Sequence, residues 1–334
     1  MMEKLKNAIV VGVSHVKDGE RWTLSGDSAS TLAYAKMLTD GPVIAVSIVP
    51  ECDLEAIRAC GIGTVYAPME VGACLRLSDN AAIVAGQAIK EIQDTQDIAA
   101  VFLPNTKRGR ETAGRLAVRM GGGVTTDVSD IQVVDGKLEA TKRVLGGEWE
   151  TKTSLQDGIP IFTLSLGSEP ETPATFTRTP DIVRVAIDGL VSSRLRMVRA
   201  RQQPGGANGD LRDSDVVVVG GRGVDGDFDT VHWLADVLSG AVGATRVACD
   251  EGWAPRSMQI GQTGVSISPK IYVGLGVSGA VHHTCGIQGS DVIVAVCDDP
   301  DAPIFEMADF GVVGDVAEVV PQAIKRLEEL KSER

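Results

Sequence analysis

Val216-Val217-Val218-Val219-Gly220-Gly221-Arg222-Gly223-Val224-Asp225-Gly226 and Ile271-Tyr272-Val273-Gly274-Leu275-Gly276-Val277-Ser278-Gly279 decide how this chain reads. Each is an apolar run of the length and β-branched character of one buried strand, and each breaks into glycines. Both carry the spacing G-x-G-x-x-G, at Gly221, Gly223 and Gly226 and again at Gly274, Gly276 and Gly279. Glycine lets a backbone turn tightly and approach a phosphate, and a following helix start offers free N–H groups to the anion. One such match is weak. Two of them after apolar strands make a dinucleotide site the leading reading, with a turn needed only for packing as the plain alternative for either alone.

Outward from these turns, the totals narrow the class. The chain has 334 residues, enough for about two domains, and its 38 glycines and 43% hydrophobic content suit an α/β protein with many tight strand-to-helix turns. A formal charge of −13 argues against nucleic acid or an anionic membrane as partner. From Leu211 onward there are 9 Lys and Arg against 19 Asp and Glu, so most of that charge lies in the last third. An acidic region that binds an anionic cofactor must place its few arginines with care, which singles out Arg222 and Arg246. The six cysteines, Cys52, Cys60, Cys74, Cys249, Cys285 and Cys297, form no C-x-x-C pair and suit buried thiols of a cytosolic protein. Met1–Val13 lacks a small-residue cleavage site and no apolar run reaches the ~18 residues of a membrane span, so a cytoplasmic protein is expected.

Before the last third, strand and helix patterns alternate. Strands are expected at Ala8–Val13, Val43–Val49, Thr64–Tyr66 and Ala99–Leu103. Helices are expected from a Ser28 cap to Leu38, over Glu51–Cys60, over Ser78–Gln93 and over Gly109–Met120, the last stopped by three glycines. This order implies a parallel sheet covered on both faces. A hairpin over Ile131–Lys142 turns at Asp135-Gly136; strand-like alternation continues over Arg143–Ser154, and Ile159–Leu166 returns as a core strand. Thr172–Gly189 is a polar arm with strand-like Ile182–Ile187, and Ser192–Asp213, with Arg194, Arg196, Arg199 and Arg201, is the domain boundary. In the last third the expected elements are strands at Val216–Val219, Thr245–Cys249, Val292–Cys297 and Gly311–Val313, and helices over Phe228–Leu238 and Val316–Leu330. A short helix carrying His282 and His283 follows the second glycine turn.

Several chemistries lack their residues. No G-K-[ST] follows either turn, so a nucleotide-hydrolysing P-loop is unsupported. His282 and His283 are adjacent, point about 100° apart on a helix and have no third ligand at metal spacing. No nucleophile elbow or zinc-protease signature occurs. Lys107, Arg108 and Arg110 at the start of a helix either hold an anion or form a solvated basic face. Asp250 stands near the position from which an acidic residue contacts the ribose in a nicotinamide-binding fold, so a dehydrogenase using the Gly221 turn stays open.

Six blocks then fall in one order: Gly220-Gly221-Arg222-Gly223, Thr245-Arg246, Gly261-Gln262-Thr263-Gly264, Gly276 to His283, Asp301-Ala302-Pro303-Ile304-Phe305, and Ala308 to Asp315. Together they resemble the alpha subunit of electron transfer flavoproteins. Leu103-Pro104-Asn105-Thr106, Gly109–Asp127 and Arg143-Val144-Leu145-Gly146-Gly147 extend a weaker resemblance toward the N-terminus. The resemblance implies an α/β chain of two parts: an N-terminal parallel-sheet, nucleotide-binding-like domain over 1–192, and, after a linker over 193–213, a Rossmann-like doubly wound FAD-binding domain over 214–334. It implies a beta subunit on a separate chain, carrying AMP or a second FAD, and an acyl-CoA-type or other flavin dehydrogenase as redox partner, without nucleic acid or membrane insertion.

It further implies that Arg222 contacts the cofactor, that Arg246 lies against the isoalloxazine, and that Thr263, within Ile260-Gly261-Gln262-Thr263, brings its hydroxyl near the flavin N5. Ser278 with Gly279, Ala280 and Val281 would line the phosphates, His283 would hydrogen-bond the C2 carbonyl, and Asp315 with Val316 would close the adenosine end. Three positions depart from the family pattern. Thr245 replaces a serine and keeps the hydroxyl, His282 replaces a glutamine, and Cys297 replaces an asparagine whose two-sided amide bonding a thiol cannot supply.

The residue types suit that chemistry independently. A guanidinium and an imidazole aimed at the N1–C2=O edge stabilise negative charge there, and a hydroxyl at N5 steers protonation of that nitrogen. A charge-assisted hydrogen bond made only in the reduced state, worth roughly 1.5–3 kcal/mol, shifts a one-electron potential by about 65–130 mV. The reading is therefore an electron carrier, of the bifurcating or the simple kind, against two rivals: the nicotinamide dehydrogenase and a nucleotide-binding subunit without redox chemistry.

Overall fold

The computed structural model describes residues 3–18, 21–69, 78–145, 149–166, 178–187, 211 and 214–332. The expected linker (Leu211 apart), its four arginines, both ends of the polar arm (172–177 and 188–189), Gly146-Gly147 and Cys74 lie outside the described residues. Two compact units emerge: Met1–Val144 with Glu150–Arg201, and Leu145–Trp149 with Gln202–Arg334.

The first unit carries strands β1 (Ala8–Val13), β2 (His15–Asp18), β3 (Arg21–Leu24), β4 (Val43–Ser47), β5 (Thr64–Pro68), β6 (Ile98–Pro104), β7 (Gly123–Val128), β8 (Asp130–Val134), β9 (Lys137–Val144), β10 (Trp149–Ser154), β11 (Pro160–Leu164) and β12 (Asp181–Val185). Its helices are α1 (Gly26–Leu38), α2 (Leu54–Ala59), α3 (Ser78–Gln93) and α4 (Lys107–Met120). Seven strands form a parallel sheet in the order β12-β5-β4-β1-β6-β11-β7. The alternating apolar strand and amphipathic helix pattern dictates this, since a parallel strand buried on both faces needs a crossover to return.

Helix α4 shows the local logic: Thr106 caps it, its hydroxyl accepting from the Gly109 amide, and Gly121 ends it in the left-handed region at φ 64°. The expected cap of α1 moves: Ser25 accepts from the Ser28 amide, while the Ser28 hydroxyl is buried and accepts from the Ser14 amide at 2.9 Å. The hairpin at Asp135-Gly136 forms as β8–β9 with a left-handed turn at both residues. Arg143 and Val144 belong to the end of β9, and β10 starts at Trp149.

The second unit contains β13 (Val216–Gly220), β14 (Ala241–Ala244), β15 (Ile271–Leu275), β16 (Val292–Cys297) and β17 (Phe310–Val313), with α5 (Phe228–Leu238), α6 (Arg246–Asp250), α7 (Val281–Thr284) and α8 (Val316–Ser332). All five strands are parallel, in the order β14-β13-β15-β16-β17. Numbered within the unit this is 2-1-3-4-5, the doubly wound order whose direction of winding reverses between the first and third strands. Ligands bind such sheets outside the carboxyl ends of the strands at that reversal. The two glycine turns leave β13 and β15, the two strands that flank it. One core packs β13, β15 and β16 against α5 and α8 through Val218, Val231, Leu275, Val320 and Ile324; the other face buries Val217, Val219, Ile260, Tyr272 and Ile293.

One expected strand is a helix. Thr245 does not open a strand over Thr245–Cys249; the strand is Ala241–Ala244, and the Thr245 hydroxyl caps α6 by accepting from the Ala248 amide at 3.4 Å. The β-branched residues that suggest a strand there are one cap and one helical valine.

Candidate functional site

The two glycine turns pack against each other. Gly221 donates its amide to the Leu275 carbonyl at 2.8 Å, and Gly223 donates to the Gly276 carbonyl at 3.0 Å. A Cβ on Gly221 would stand 2.2 Å from the Gly276 oxygen. The glycines of the first motif are therefore used to let two backbones cross. A short 3₁₀ turn, Arg222–Val224, follows, and α5 does not begin until Phe228. This corrects the expectation that the first turn itself offers its backbone to a phosphate: what it contributes is the Arg222 side chain.

Beside that crossing, at the carboxyl ends of β13 and β15, lies a cavity of about 280 Å³, near the lower end of the roughly 300–1,000 Å³ usual for small-molecule pockets. Three segments build its wall. After β14 come Thr245, Arg246 and Val247; the loop after α6 brings Gln259, Ile260 and Thr263; the second glycine turn brings Gly276 to Ala280, then His282 and His283. Arg222 completes the lining.

Thr263 and His283 are twenty positions apart in sequence, and the backbone joins them. Gln262 donates its amide to the His282 carbonyl at 2.7 Å. Gly261 sits at φ 127°, and a Cβ there would meet the His282 oxygen at 2.3 Å. Only glycine fits such a crossing, so the loop and α7 are locked at that point.

The two histidines differ sharply. His282 is exposed and its backbone carbonyl anchors Gln262. His283 is 6% exposed; its Nε2 lies 2.8 Å from the Tyr272 hydroxyl and its Nδ1 3.3 Å from the Ile260 carbonyl. Burial pushes its pKa down to about 4, against a small upward pull from the Ile260 carbonyl, so the ring is neutral at physiological pH. A neutral ring with these partners carries its proton on Nδ1, donated to Ile260, and accepts the Tyr272 proton at Nε2. Both nitrogens are thus engaged within the protein, and a bond to a cofactor carbonyl requires one of these partners to be exchanged.

Arg246 lines the cavity and forms an ion pair with Asp250 at 3.4 Å; Asp250 also pairs with Arg256. The Asp250 carboxylate is thereby held between two guanidinium groups, and the ribose role considered for a nicotinamide site finds no support. Gln259, which no motif flagged, is 3% exposed, lines the cavity and bonds both Arg256 and Thr263.

The cavity brings together Arg222, Thr245, Arg246, Ile260, Thr263, Ser278, Gly279, Ala280, His282 and His283 from the sequence-based set. Gly261, Gln262, Val281, Cys297, Asp315 and Val316 do not line it. Cys297 is buried at the end of β16, where its carbonyl accepts from the Gly314 amide at 2.9 Å. Asp315 opens α8, its carboxylate accepting from the Ala317 amide at 2.8 Å, and Val316 is packed in the core. All three stand at the same carboxyl edge of the sheet and outside the cavity lining. No helix among the described residues is long and apolar enough to cross a membrane.

Residues 210–288 match the model of the electron transfer flavoprotein FAD-binding domain, and residues 13–189 match that of the electron transfer flavoprotein domain. The chain belongs to the electron transfer flavoprotein alpha subunits. A Mycobacterium tuberculosis electron transfer flavoprotein subunit alpha is 33% identical over 309 residues, 91% of this chain and 94% of that protein. The Mycobacterium leprae subunit alpha is 41% identical over 226 residues, covering 67% of this chain and 70% of its relative. Protein FixB of Clostridium saccharobutylicum is 31% identical over 254 residues, 74% and 75% of the two chains. The cavity lies in the unit that carries the FAD-binding-domain match, and this electron transfer flavoprotein alpha subunit is one half of a heterodimer that works in FAD-mediated electron transfer.

Proposed function

We propose that the cofactor is FAD, with its isoalloxazine in the cavity formed by Arg246, Thr263 and His283 and its diphosphate along Ser278, Gly279, Ala280 and Val281. The observation that carries this reading is the meeting, at the winding reversal of a doubly wound sheet, of a guanidinium, an imidazole and a hydroxyl beside a glycine turn. These groups fit a flavin: a cation and polar hydrogen atoms face a ring that gains negative charge, and one apolar wall, Ile260 with Val247 and Val277, accepts its flat face. When bound, FAD supplies one-electron chemistry. Arg222 and Arg246 place positive charge beside the cofactor in an otherwise acidic region. Thr245 and Thr263 offer hydroxyls. The adenosine end runs past the cavity toward Cys297, Asp315 and Val316, where the Cys297 thiol, 3.9 Å from the Asp298 carboxylate, stands in for the family's asparagine.

The physiological assembly in this proposal includes a beta subunit on a separate chain, carrying AMP or a second FAD, and a flavin dehydrogenase, of the acyl-CoA type or another, as redox partner, all in the cytoplasm. Co-expression with the beta subunit and extraction of nucleotides from the purified heterodimer tests it. One FAD is expected for this chain, and the count of AMP or further FAD assigns the second site. A colourless heterodimer that yields no flavin would defeat the assignment.

A further inference from the structure

Gln259 is among the most buried polar side chains of the second unit, yet both ends of its amide are spoken for. Its Oε1 lies 2.7 Å from a terminal nitrogen of Arg256, and its Nε2 lies 2.8 Å from the Thr263 hydroxyl. A guanidinium only donates, so the oxygen of the amide must face Arg256; the flipped amide would set two donors against each other. Arg256 is held in turn by Asp250. The backbone is equally fixed: Gln259 bridges to Ala244 at the end of β14, and its carbonyl accepts from the Val265 amide at 2.8 Å.

The consequence reaches Thr263. An amide N–H only donates, so the Thr263 oxygen is the acceptor of the Gln259 bond. A hydroxyl has one proton, and that proton is left to point elsewhere. Thr263 lines the cavity. We propose that Gln259, oriented by Arg256, is a positioning residue that commits the Thr263 hydroxyl to donate into the cavity, toward N5 of the flavin; this rests on the FAD reading above. An N5 that bears a lone pair accepts such a bond, whereas an N5 that bears hydrogen is itself a donor and is opposed by it. The Asp250–Arg256–Gln259–Thr263 relay therefore favours uptake of the first electron without a proton at N5. The same Asp250 holds Arg246, so one carboxylate anchors a guanidinium that lines the cavity directly and Gln259 through Arg256.

The test is the pH dependence of the first one-electron potential in the flavin-loaded heterodimer. The profile is read in a His282→Gln background, because that imidazole also lines the cavity; with the chain otherwise wild type, the first equilibrium is expected to stay constant between about pH 6 and 8. In Gln259→Glu, one carboxylate oxygen takes Arg256 and the other takes the Thr263 proton, so the hydroxyl turns its lone pairs to the cavity. The equilibrium constant should then change about tenfold per pH unit, ~59 mV for one electron. Thr263→Val removes the hydroxyl, and Gln259→Glu added to it should change nothing further. A flat profile in flavin-loaded Gln259→Glu overturns the proposal, as does an undiminished Gln259→Glu effect in the Thr263→Val background. Arg256→Met, which frees the amide to flip, carries the test if Gln259→Glu does not retain flavin; a flat profile there overturns it too. Wild-type heterodimer without flavin would instead strike the FAD reading, and the proposal with it.

Discussion

The Tyr272 hydroxyl stands 2.8 Å from Nε2 of His283, and Tyr272 is entirely shielded from solvent. A phenol buried among Val217, Val219 and Ile293 needs that partner, because an unpaired buried hydroxyl costs about 1–3 kcal/mol. Burial raises the Tyr272 pKa and lowers that of His283, so the pair is neutral and the phenol is the donor. Tyr272→Phe removes the donor and leaves Nε2 unsatisfied. A loss of about 1–3 kcal/mol is expected, read from urea denaturation of the heterodimer followed by far-UV circular dichroism. An unchanged midpoint would show that water replaces the phenol.

His283 also gives the stability a pH dependence of definite sign. Its folded pKa, about 4, lies below the ordinary 6.5, so the unfolded chain binds the proton more readily. Stability is therefore full above pH 6.5, falls as pH drops toward 4 and is level below it. The shift corresponds to about 3 kcal/mol. His15 in the first unit moves the same way, lowered to about 4 by burial and opposed by Asp53. The measurement should therefore be made in a His15→Gln background. There, His283→Gln is expected to flatten the unfolding free energy between pH 6.5 and 4; a slope that survives the substitution assigns the effect to other groups.

Much of this was legible in the chain itself. Val216–Gly220 and Ile271–Leu275 are apolar runs with glycine at or next to the end, buried beyond their first residues, and that is how a parallel strand covered on both faces reads. Ser78–Gln93 and Phe228–Leu238 match to the residue, because an amphipathic stripe is a strong local signal, reinforced in the second by the Asp227 cap. Thr245 misled because a β-branched cap followed by Arg246 and Val247 mimics strand alternation. The hairpin β2–β3 was missed although Asp18-Gly19 is a turn signal. Gln259 had no signal at all. Its role depends on Arg256 three positions before it and Thr263 four after it in a loop without periodicity, and burial of a loop glutamine follows from tertiary packing alone.

The crossing of the glycine turns predicts damage at a residue that does not line the cavity. In Gly221→Ala the new methyl would lie 2.2 Å from the Gly276 carbonyl oxygen and 2.8 Å from the Val277 Cα, both backbone atoms that cannot yield by changing rotamer. Overpacking of this kind costs about 1–3 kcal/mol, and relief requires the second turn to move away from the cavity. Lower thermal stability and weaker flavin retention are expected together, measured by a melting curve and by flavin absorbance per protein after dialysis. Loss of stability with flavin fully retained would mean that the second turn stays in place and β13 shifts instead.

Arg246 and Asp250 allow a pair of substitutions with opposite electrostatic sign. Arg246 brings its charge to the cavity, while Asp250, 3.4 Å from it, offsets part of that charge and also holds Arg256. Removing the cation should make addition of an electron to the bound flavin less favourable. Neutralising the carboxylate should make it more favourable, because Arg246 then acts without its counterion. Both side chains are substantially exposed, so the ion pair contributes only about 0–1 kcal/mol to stability and folding is expected to be nearly unchanged in either variant. The one-electron potential should therefore fall in Arg246→Ala and rise in Asp250→Asn, measured by spectroelectrochemistry of the flavin-loaded heterodimer, with ~59 mV for each tenfold change in the equilibrium. Raising the ionic strength should shrink both shifts, since exposed charges are screened. If both variants move the potential in the same direction, charge is not what Arg246 contributes, and its place in the cavity is one of shape alone.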